Sequence, residues 1–492
     1  MNVLLIYPEF PNTFWSFKYA LKFIRKKSAY PPLGLLTVAT MLPKEWSKRL
    51  VDMNVEKLKE SDLVWADMVF IGGMIIQRES AKRIIEQCKT KDLKVIAGGP
   101  LFANEHDQFD GVDHFVLDEA ELTLPFFLED LKNGNLKKIY RSSGFCDLGQ
   151  TPIPSWDLIR MKKYASLSIQ FSRGCPFNCD FCNVTVLFGR KPRMKTTQQV
   201  IAELDSIYNT GWRGNIFFVD DNFIGNKRYL KTQLLPALIE WRKNKKGCVF
   251  FTEASINLAD DRELLDMMVK AGFDSVFIGI ESPDEDSLTE CHKDQNKNRN
   301  LIDNIRIIQR AGLQVQGGFI VGFDSDSQST FQRHIDFIQK TGIVTAMVGM
   351  LQAPPGTRLF ERLQRENRVV GVISGDNVDG TTNIIPKMGI DRLMNGYRSI
   401  MGHIYSPKYY YRRVKTFLKE SSGPKVRIPM DIQRFLAFFR SSIRLGLFGK
   451  ERFRYWYLII WTLIRKPKLL PTAITLAIYG HHFRKICKLY IL

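Results

Sequence analysis

The chain has 492 residues, a length that suggests about three domains rather than one. With 45% hydrophobic and 25% charged residues, its composition is that of a globular protein and excludes the disordered and fibrous classes. The formal net charge is +20, and residues 391–492 carry 21 lysines and arginines against 4 acidic residues. The rest of the chain is therefore nearly neutral. The C-terminal fifth suits either an anionic partner or a solvated basic surface.

The eight cysteines do not form a disulfide framework, because three of them fall within eight residues and the others are scattered. This usage favours a reducing compartment. The N-terminus enters an apolar strand without the basic and apolar leader of a secretory signal. No apolar run reaches the ~20 residues needed to span a bilayer. We therefore expect a cytoplasmic protein, either free or peripheral to the inner face of the membrane.

The first 150 residues alternate short apolar runs with helical patterns, which predicts a doubly wound, Rossmann-like parallel sheet. Ligands of such sheets bind outside the carboxyl ends of the strands, where small residues leave the backbone accessible. Gly72 and Gly73 end one predicted strand, and Gly98 and Gly99 end another. These glycines are candidates for a ligand site, and ordinary strand-to-helix turns would use them equally well. The predicted strands are 3–7, 68–72, 94–98 and 114–117, and the predicted helices are 33–42, 77–89 and 121–132.

A proline-containing connector at 151–155 precedes a second alternating block of six β/α units. Six units are fewer than the eight of a complete TIM barrel, so the pattern predicts a partial barrel with an open side and a site at the C-terminal ends of its strands. After about residue 370 the chain is basic, aromatic and mostly helical in pattern. The predicted domains are residues 1–150, 151–370 and 371–492. The predicted barrel strands are 167–171, 215–219, 249–253, 275–280, 315–320 and 346–350, separated by helices at 198–208, 229–241, 262–271, 301–311 and 330–341.

Three cysteines with the spacing C-x3-C-x2-C, Cys175, Cys179 and Cys182, follow the first predicted barrel strand. Three thiolates on one loop can bind three irons of a [4Fe–4S] cluster and leave the fourth iron open. A structural zinc site would require a fourth ligand nearby, and the next cysteine is Cys248. The odd number of cysteines also disfavours a disulfide. The motif therefore predicts an iron–sulfur cluster.

This motif, with Phe181 directly before its third cysteine, resembles that of the radical S-adenosylmethionine (SAM) superfamily. The resemblance implies that the open iron binds SAM and that an electron cleaves SAM to a 5′-deoxyadenosyl radical. It places Phe181 against the adenine and gives SAM contacts to groups at the later strand ends. These candidates are Asp220 and Asp221 after the second strand, Glu253 on the third, Glu281 on the fourth and Gly318 on the fifth.

A doubly wound domain directly before such a barrel resembles the cobalamin-binding class of radical SAM enzymes. Residues 30–35, 98–100 and 118–121 stand where that class places its motifs. No Asp-x-His-x-x-Gly motif occurs, so the resemblance implies cobalamin without a histidine ligand from that motif. The implied cofactors are a [4Fe–4S] cluster, SAM and cobalamin. The C-terminal part resembles the domain of unknown function in the branch that includes hopanoid C-2 methylases.

The resemblance implies a cobalamin-dependent radical SAM methyltransferase acting on an unactivated carbon, for example in a lipid such as a hopanoid. One SAM methylates cobalamin, a second gives the radical, and the substrate radical takes the methyl group. The alternative is a radical rearrangement, cyclisation or carbon–carbon coupling in which cobalamin does not methylate. RNA methylthiolation is disfavoured, because that class needs three further N-terminal cysteines and only Cys88 and Cys146 lie there. The sequence names no catalytic acid or base.

The expected partners are a small-molecule or lipid substrate and an electron donor such as flavodoxin or ferredoxin, and not nucleic acid. Residues 452–461 interleave arginines with aromatic residues, and a basic run follows at 465–468. Aromatic side chains favour the headgroup level and basic side chains favour anionic lipid, so this segment predicts peripheral membrane contact. Alternatively, the aromatic residues form the core of a helical cap against the barrel.

Overall fold

The computed structural model describes residues 1–376, 378–423, 426 and 432–492, and its first part is a parallel sheet of six strands. The strands are β1 (Asn2–Tyr7), β2 (Ser47–Asp52), β3 (Met68–Gly72), β4 (Lys94–Gly98), β5 (His114–Val116) and β6 (Ile139–Tyr140). The helices are α1 (Lys18–Leu21), α2 (Leu33–Met41), α3 (Glu60–Trp65), α4 (Arg78–Lys89), α5 (Pro100–Glu105) and α6 (Ala120–Asn133). The strand order is β2-β1-β3-β4-β5-β6.

Two hydrophobic cores cover the two faces of this sheet. Leu5 belongs to one core, whereas Leu4 and Ile6 belong to the other, as the two-residue period of a strand requires. Because both faces are covered, the central strands read as continuous apolar runs. The predicted doubly wound domain is confirmed.

The second part is a six-stranded parallel sheet in the order β14-β13-β12-β11-β10-β7, and it forms the predicted partial barrel. Its strands are β7 (Ser166–Ile169), β10 (Asn215–Phe218), β11 (Val249–Glu253), β12 (Phe273–Glu281), β13 (Gln314–Val321) and β14 (Ala346–Met350). A small antiparallel pair, β8 (Ser172–Arg173) with β9 (Arg193–Met194), follows β7. The helices are α7 (Val184–Phe188), α8 (Thr197–Asn209), α9 (Lys227–Tyr229), α10 (Leu235–Asn244), α11 (Arg262–Ala271), α12 (Glu285–Glu290), α13 (Leu301–Ala311), α14 (Gln328–Thr341) and α15 (Arg358–Arg365).

The third part is helical, as the sequence predicts. Its elements are α16 (Ile390–Ile404), α17 (Pro407–Glu420), α18 (Ile432–Ser441), a π-helical turn (Ser442–Leu447), α19 (Arg452–Arg465) and α20 (Leu470–Tyr490). Within the described residues, no helix is both long and apolar enough to cross a membrane. The predicted domain limits at 150 and 370 remain predictions.

The N-terminal segment between β1 and α2 covers the open side of the barrel. Ser28 forms a parallel bridge with Tyr164, and Ser166 N–H donates to the carbonyl of Ala29 (3.0 Å), so this segment pairs with the free edge of β7. Earlier in the same segment, Phe14 stacks on Phe483 of α20 with ring centroids 5.1 Å apart. The first and last parts of the chain therefore pack together against the barrel, and an otherwise exposed sheet edge is covered.

A buried group of charges joins the first domain to the barrel. Arg173 contacts Glu119 (2.9 Å) and Glu121 (2.7 Å), and Arg193 also contacts Glu119 (3.0 Å). Burial opposes the charge of Arg173, but hydrogen bonds and charges from Glu121 and Glu119 raise its pKa above the ordinary value. Arg173 lies two residues before Cys175, so this contact fixes the start of the cysteine loop against the end of β5.

Replacing Arg173 with methionine should lower the free energy of unfolding by roughly 3 kcal/mol, because the buried carboxylate of Glu121 loses its guanidinium partner and Glu119 keeps only Arg193. Denaturant unfolding of the cofactor-free protein measures this loss. The matched control is Arg190→Met, which removes an exposed arginine from the same region. Equal midpoints for the two variants would contradict the assignment.

Candidate active site

The three cysteines of the motif lie on one loop that begins where β7 ends. The N–H of Cys175 donates to the carbonyl of Gly189 (3.3 Å), and that of Cys182 donates to the carbonyl of Cys179 (3.2 Å). Gly174 has φ +92°, and a Cβ at this position would lie 2.9–3.0 Å from three backbone carbonyl oxygens. The turn therefore requires glycine, and it brings three thiols onto one short segment.

The donor set fits a [4Fe–4S] cluster. Cys175, Cys179 and Cys182 are free thiols and only partly buried. In the described parts of the chain, no three histidine, cysteine or acidic side chains are placed to hold a single metal ion. A cluster makes a different demand, because each of its three thiolates binds a different iron. Burial raises the pKa of Cys182 to about 12, so binding iron would displace the thiol proton.

The segment that follows α12 packs directly over the cysteine loop. The N–H of Asp180 donates to the carbonyl of Cys291 (3.1 Å), and Gln295 Nε2 donates to Cys179 Sγ (3.7 Å). Lys293 Nζ lies 2.7 Å from Glu281 Oε1 at the end of β12. Sequence reasoning missed Lys293 and Gln295, because no motif or spacing relates them to the cysteines more than 110 residues earlier.

Glu281, a predicted SAM contact, is held in an uncommon backbone conformation. The pairing of β12 with β13 shifts register between Gly279 and Glu281, and Glu281 has φ +63°. This left-handed conformation costs energy in a residue other than glycine. Although burial opposes its charge, the carboxylate of Glu281 raises the pKa of Lys293. The buried pair places a fixed positive charge beside the cysteine loop.

Asp220, Asp221 and Glu253 form a group of carboxyls at the ends of the second and third barrel strands, of which Asp220 is buried and the other two are half-buried. Asp220 accepts hydrogen bonds from the backbone of Phe171 and from Ser172, and it is fully buried. Burial raises its pKa to about 7 and that of Asp221 to about 6. Asp220 therefore positions the start of the cysteine loop, and of the two predicted aspartates only Asp221 retains a carboxylate oxygen without a partner.

Several buried acceptors around the loop lack hydrogen-bond partners among the described residues. They are Asp221 Oδ2, Gln295 Oε1 and Asn296 Oδ1. Unsatisfied buried acceptors are uncommon in folded proteins and call for a donor. The ammonium group and ribose hydroxyls of SAM are donors of this kind, so the residues present fit this cofactor.

The predicted adenine side of the site is apolar. The ring of Phe181 lies 6.4 Å from that of Phe323, which follows β13. On the neighbouring strands, Gly318 pairs in register with Gly279, which leaves bare backbone on the inner side of the barrel. The structure thus brings Phe181 and the end of the fifth strand together, and their contact with adenine stays a prediction.

The four predicted glycines of the first sheet are not equivalent. A Cβ on Gly98 would lie 2.5 Å from the carbonyl oxygen of Val116, and one on Gly72 would lie 2.9 Å from Leu35, so both glycines serve packing. Gly73 and Gly99 lie side by side, and Gly99 has φ +88°. Together they form a strip without side chains at the carboxyl edge of the sheet, in which Gly99 is half-buried and Gly73 is buried. This strip fits a bulky flat ligand such as cobalamin.

Three family models match the chain in the order of its three parts. They are the B12 binding domain at residues 24–128, the radical SAM superfamily at 169–338 and a domain of unknown function, DUF4070, at 357–491. The chain is 42% identical over 491 residues to an uncharacterised methyltransferase of Synechocystis sp. (98% of this chain, 91% of the relative). It is 32% identical over 499 residues to the hopanoid C-2 methylase of Rhodopseudomonas palustris (98% of this chain, 92% of the relative).

Two solved structures share this fold at low sequence identity. The cobalamin-dependent SAM radical enzyme OxsB superposes with a TM-score of 0.62 at 15% identity, covering 99% of this chain and 80% of that one. The radical SAM methyltransferase TsrM from Kitasatospora setae gives a TM-score of 0.59 at 14% identity, covering 76% of this chain and 77% of that one.

The fold and the cysteine loop define a radical SAM enzyme with an N-terminal B12 binding domain. The chain belongs to the family of cobalamin-dependent radical SAM methyltransferases. The expected cofactors, a [4Fe–4S] cluster, SAM and cobalamin, are confirmed as those of its two cofactor-binding domains. The assignment of single residues to each cofactor remains a proposal.

Replacing Cys175, Cys179 or Cys182 with alanine should reduce the iron content of anaerobically reconstituted protein from about four per chain to near zero. Iron and sulfide analysis, together with the visible absorbance of the cluster, measures this change. Cys248→Ala and Cys291→Ala are the matched controls and should keep full iron content. Full iron content in any of the three motif variants would contradict the ligand assignment.

A second prediction concerns Glu253. Burial, with repulsion from Asp221 and Asp220, raises its pKa from 4.5 to about 8. Between these values the unfolded chain releases a proton that the folded protein holds, so the wild type loses stability as pH rises from about 5 to about 8. Glu253→Gln removes this loss. Its stability relative to wild type should therefore increase by roughly 1–3 kcal/mol over that range in the cofactor-free protein.

Urea unfolding at pH 5.5 and pH 8 measures this difference. The control is Glu86→Gln, on the exposed face of α4, which should leave the pH dependence unchanged. If wild type and Glu253→Gln show parallel dependence on pH, Glu253 is not held neutral in the folded protein.

Proposed function

We propose that the protein transfers a methyl group to an unactivated carbon of an apolar, polycyclic lipid such as a hopanoid. When bound, the cluster and SAM supply a hydrogen-abstracting radical, and cobalamin supplies the methyl group. The chain must bind these groups, orient them toward the substrate and exclude water. The observation that carries the substrate class is an aromatic chamber inside the barrel.

The chamber is built by rings that point into the barrel. Phe217 and Phe251 are register partners on adjacent strands and stack with centroids 4.8 Å apart and planes at 4°. Tyr30, from the segment that covers the open side, lies 5.4 Å from Phe217. Trp15, from the same segment, lies 5.4 Å from Phe277. All five rings remain partly accessible, so they line open space rather than fill a core.

Flat aromatic walls suit a rigid apolar ring system, because broad apolar surfaces bury against each other without loss of polar contacts. Glu253 is the register partner of Phe277, so the chamber adjoins the carboxyl group of the site. The 32% identity to a hopanoid C-2 methylase supports the same substrate class. The chamber thus holds a lipid where the radical would form.

In this proposal the three cysteines hold the cluster. Asp221, Glu253 and Glu281 meet the polar groups of SAM, Phe181 and the Gly318 backbone border its adenine, and Asp220 positions the loop. Gly73 and Gly99 carry cobalamin, and Gly72 and Gly98 allow the neighbouring strands and helix to pack close by. Lys293 balances the negative charge of the thiolates.

An electron donor must reach the cluster, and we assign this role to an acidic carrier such as flavodoxin or ferredoxin. Arg190 and Lys191 are exposed directly after α7, and Arg358 is half-exposed 3.4 Å from Asp180. These cations surround the outer side of the cysteine loop. A basic rim there would attract an acidic protein and raise its association rate.

A lipid substrate is met at a membrane, and we propose peripheral attachment of a cytoplasmic enzyme to the inner face of the membrane. The basic and aromatic C-terminal helices support this contact. Nucleic acid is not a proposed partner, because aromatic and aliphatic side chains accompany the basic ones.

The activity test uses the holoenzyme with SAM, a chemical reductant and a total lipid extract that contains polycyclic triterpenoids. We expect 5′-deoxyadenosine and S-adenosylhomocysteine in about equal amounts and a lipid that gains about 14 mass units, since each turnover uses one SAM for each role. A water-soluble metabolite extract is the control and should give neither coupled product. Deoxyadenosine without S-adenosylhomocysteine would point to a rearrangement, and methylation only in the aqueous extract would overturn the lipid assignment.

A further inference from the structure

Helices α18 and α19 present the largest group of exposed apolar side chains that the described residues contain. On α18 and the π-helical turn the exposed residues recur at 432, 435, 439, 443 and 447, and on α19 at 453, 457, 460 and 464. Both spacings follow one face of a helix. We call these two faces together the C-terminal face.

The two helices are held together as a hairpin. The hydroxyl groups of Tyr455 and Ser441 hydrogen-bond at 2.9 Å, and the indole N–H of Trp456 donates to the carbonyl of Gly446 (3.0 Å). Trp456 is itself exposed and lies beside Leu447 through this bond. It therefore joins the exposed face of α19 to that of the π-helical turn, and the C-terminal face is continuous.

The structure divides the aromatic residues of α19 between two roles. Tyr455 is fully buried against α18, and Trp461 packs beside the ammonium group of Lys415 (5.0 Å). Phe453 and Ile460 point outward instead, and Tyr457 is largely exposed although its hydroxyl accepts a hydrogen bond from Lys415 Nζ (2.7 Å). The helical-cap interpretation thus applies to the buried side of α19 and the membrane interpretation to its exposed side, and Tyr457 and Trp461 lie at the boundary, where both contact Lys415.

The charge around the C-terminal face is almost entirely positive. Residues 432–468 contain nine lysines and arginines and a single acidic residue, Glu451. Glu451 forms an ion pair with the nearly buried Arg484. An open hollow of about 440 Å³ adjoins the face, and Lys450, Arg454 and Tyr457 are among its lining residues. It is large enough for a phospholipid headgroup.

We infer that the C-terminal face docks on an anionic lipid bilayer, with the apolar side chains in the outer part of the acyl region and the basic side chains at the phosphates. This inference rests on the membrane contact proposed above and names the surface that makes it. A helix hairpin with apolar residues on its outer side and arginines among them fits an interface of low curvature. The strong positive charge argues against a second copy of this chain, since two such faces would repel each other.

The experiment measures co-sedimentation of the full-length holoenzyme with vesicles of phosphatidylcholine, with and without phosphatidylglycerol. The wild type should bind mainly the anionic vesicles. A triple variant, Leu447→Glu, Phe453→Glu and Ile464→Glu, changes residues of this face that are 61%, 77% and 71% exposed, so the fold should tolerate it. Its partition coefficient should fall by about tenfold or more.

A second variant tests the charge. Lys450→Gln with Arg452→Gln and Arg454→Gln should lower affinity for anionic vesicles by about tenfold to a hundredfold and leave the weak binding to neutral vesicles unchanged. The matched controls are Val64→Glu with Phe126→Glu, which are 73% and 62% exposed on the first domain, and Lys82→Gln with Arg83→Gln and Lys132→Gln. Both controls should bind as the wild type does.

A wild type that binds neither vesicle type overturns the inference. So does an apolar variant that keeps vesicle binding but changes from a dimer to a monomer in gel filtration, because the face would then join two copies. Formation of 5′-deoxyadenosine from SAM with detergent-dispersed lipid extract separates this outcome from failure of the proposed function. The docking variants should still form 5′-deoxyadenosine with the dispersed lipid extract. If the proposed substrate class is wrong, the wild type should also fail to form 5′-deoxyadenosine with that extract.

Discussion

The contact of Arg173 with Glu119 and Glu121 is the interaction on which the rest of the site depends. It joins two folding units that each have their own sheet, and it does so two residues before the first cysteine of the motif. Placing three charges in a buried position is costly unless all are paired, and here each carboxylate faces a guanidinium. The carboxyl edge of one sheet and the cysteine loop of the other therefore share a rigid contact, and their separation cannot change without breaking it.

Around this contact the barrel gathers charges that only bound cofactors would balance. Burial raises the pKa of Glu253 to about 8, so protonation keeps this carboxyl mostly neutral at pH 7, and it raises that of Asp221 only to about 6, whereas Lys293 stays charged because Glu281 accompanies it. A carboxyl that is neutral without a ligand becomes a strong acceptor once an ammonium group arrives. The protein therefore tolerates an unfavourable group of acids near one cationic side chain, and the strained backbone of Glu281 lies at the same place. Such conflicts between local preference and structure are expected at functional sites.

Sequence patterns predicted the features that local order determines. The central strands and the cysteine loop were predictable, because apolar runs and ligand spacing are visible within about ten consecutive residues of the sequence. The edge strands β2 and β6 were not: β2 begins with Ser47, Lys48 and Arg49, and β6 has only two residues. The sequence also could not distinguish Asp220 from Asp221, since adjacent residues point to opposite sides and the direction depends on the assembled sheet. Lys293 and Gln295 reach the cysteines only through tertiary packing, so no sequence pattern identifies them.

The positive charge of the chain is concentrated in its C-terminal helices and not in the barrel, and this separation follows from the different roles of the two parts. The barrel must hold a negatively charged cluster beside several carboxyl groups, and a large net charge there would disturb every pKa in the site. The positive charge is concentrated instead on helices that close the barrel only through their inner sides. Tyr455 and Tyr410 fill that inner packing, and the outer side remains free to carry arginines beside Phe453. Because the same helices also pack on the segment that supplies Trp15 and Tyr30, a lipid surface at the outer side would lie next to the wall of the aromatic chamber. In the proposed function, this arrangement would let an apolar substrate pass from the bilayer to the barrel along apolar side chains without crossing bulk water.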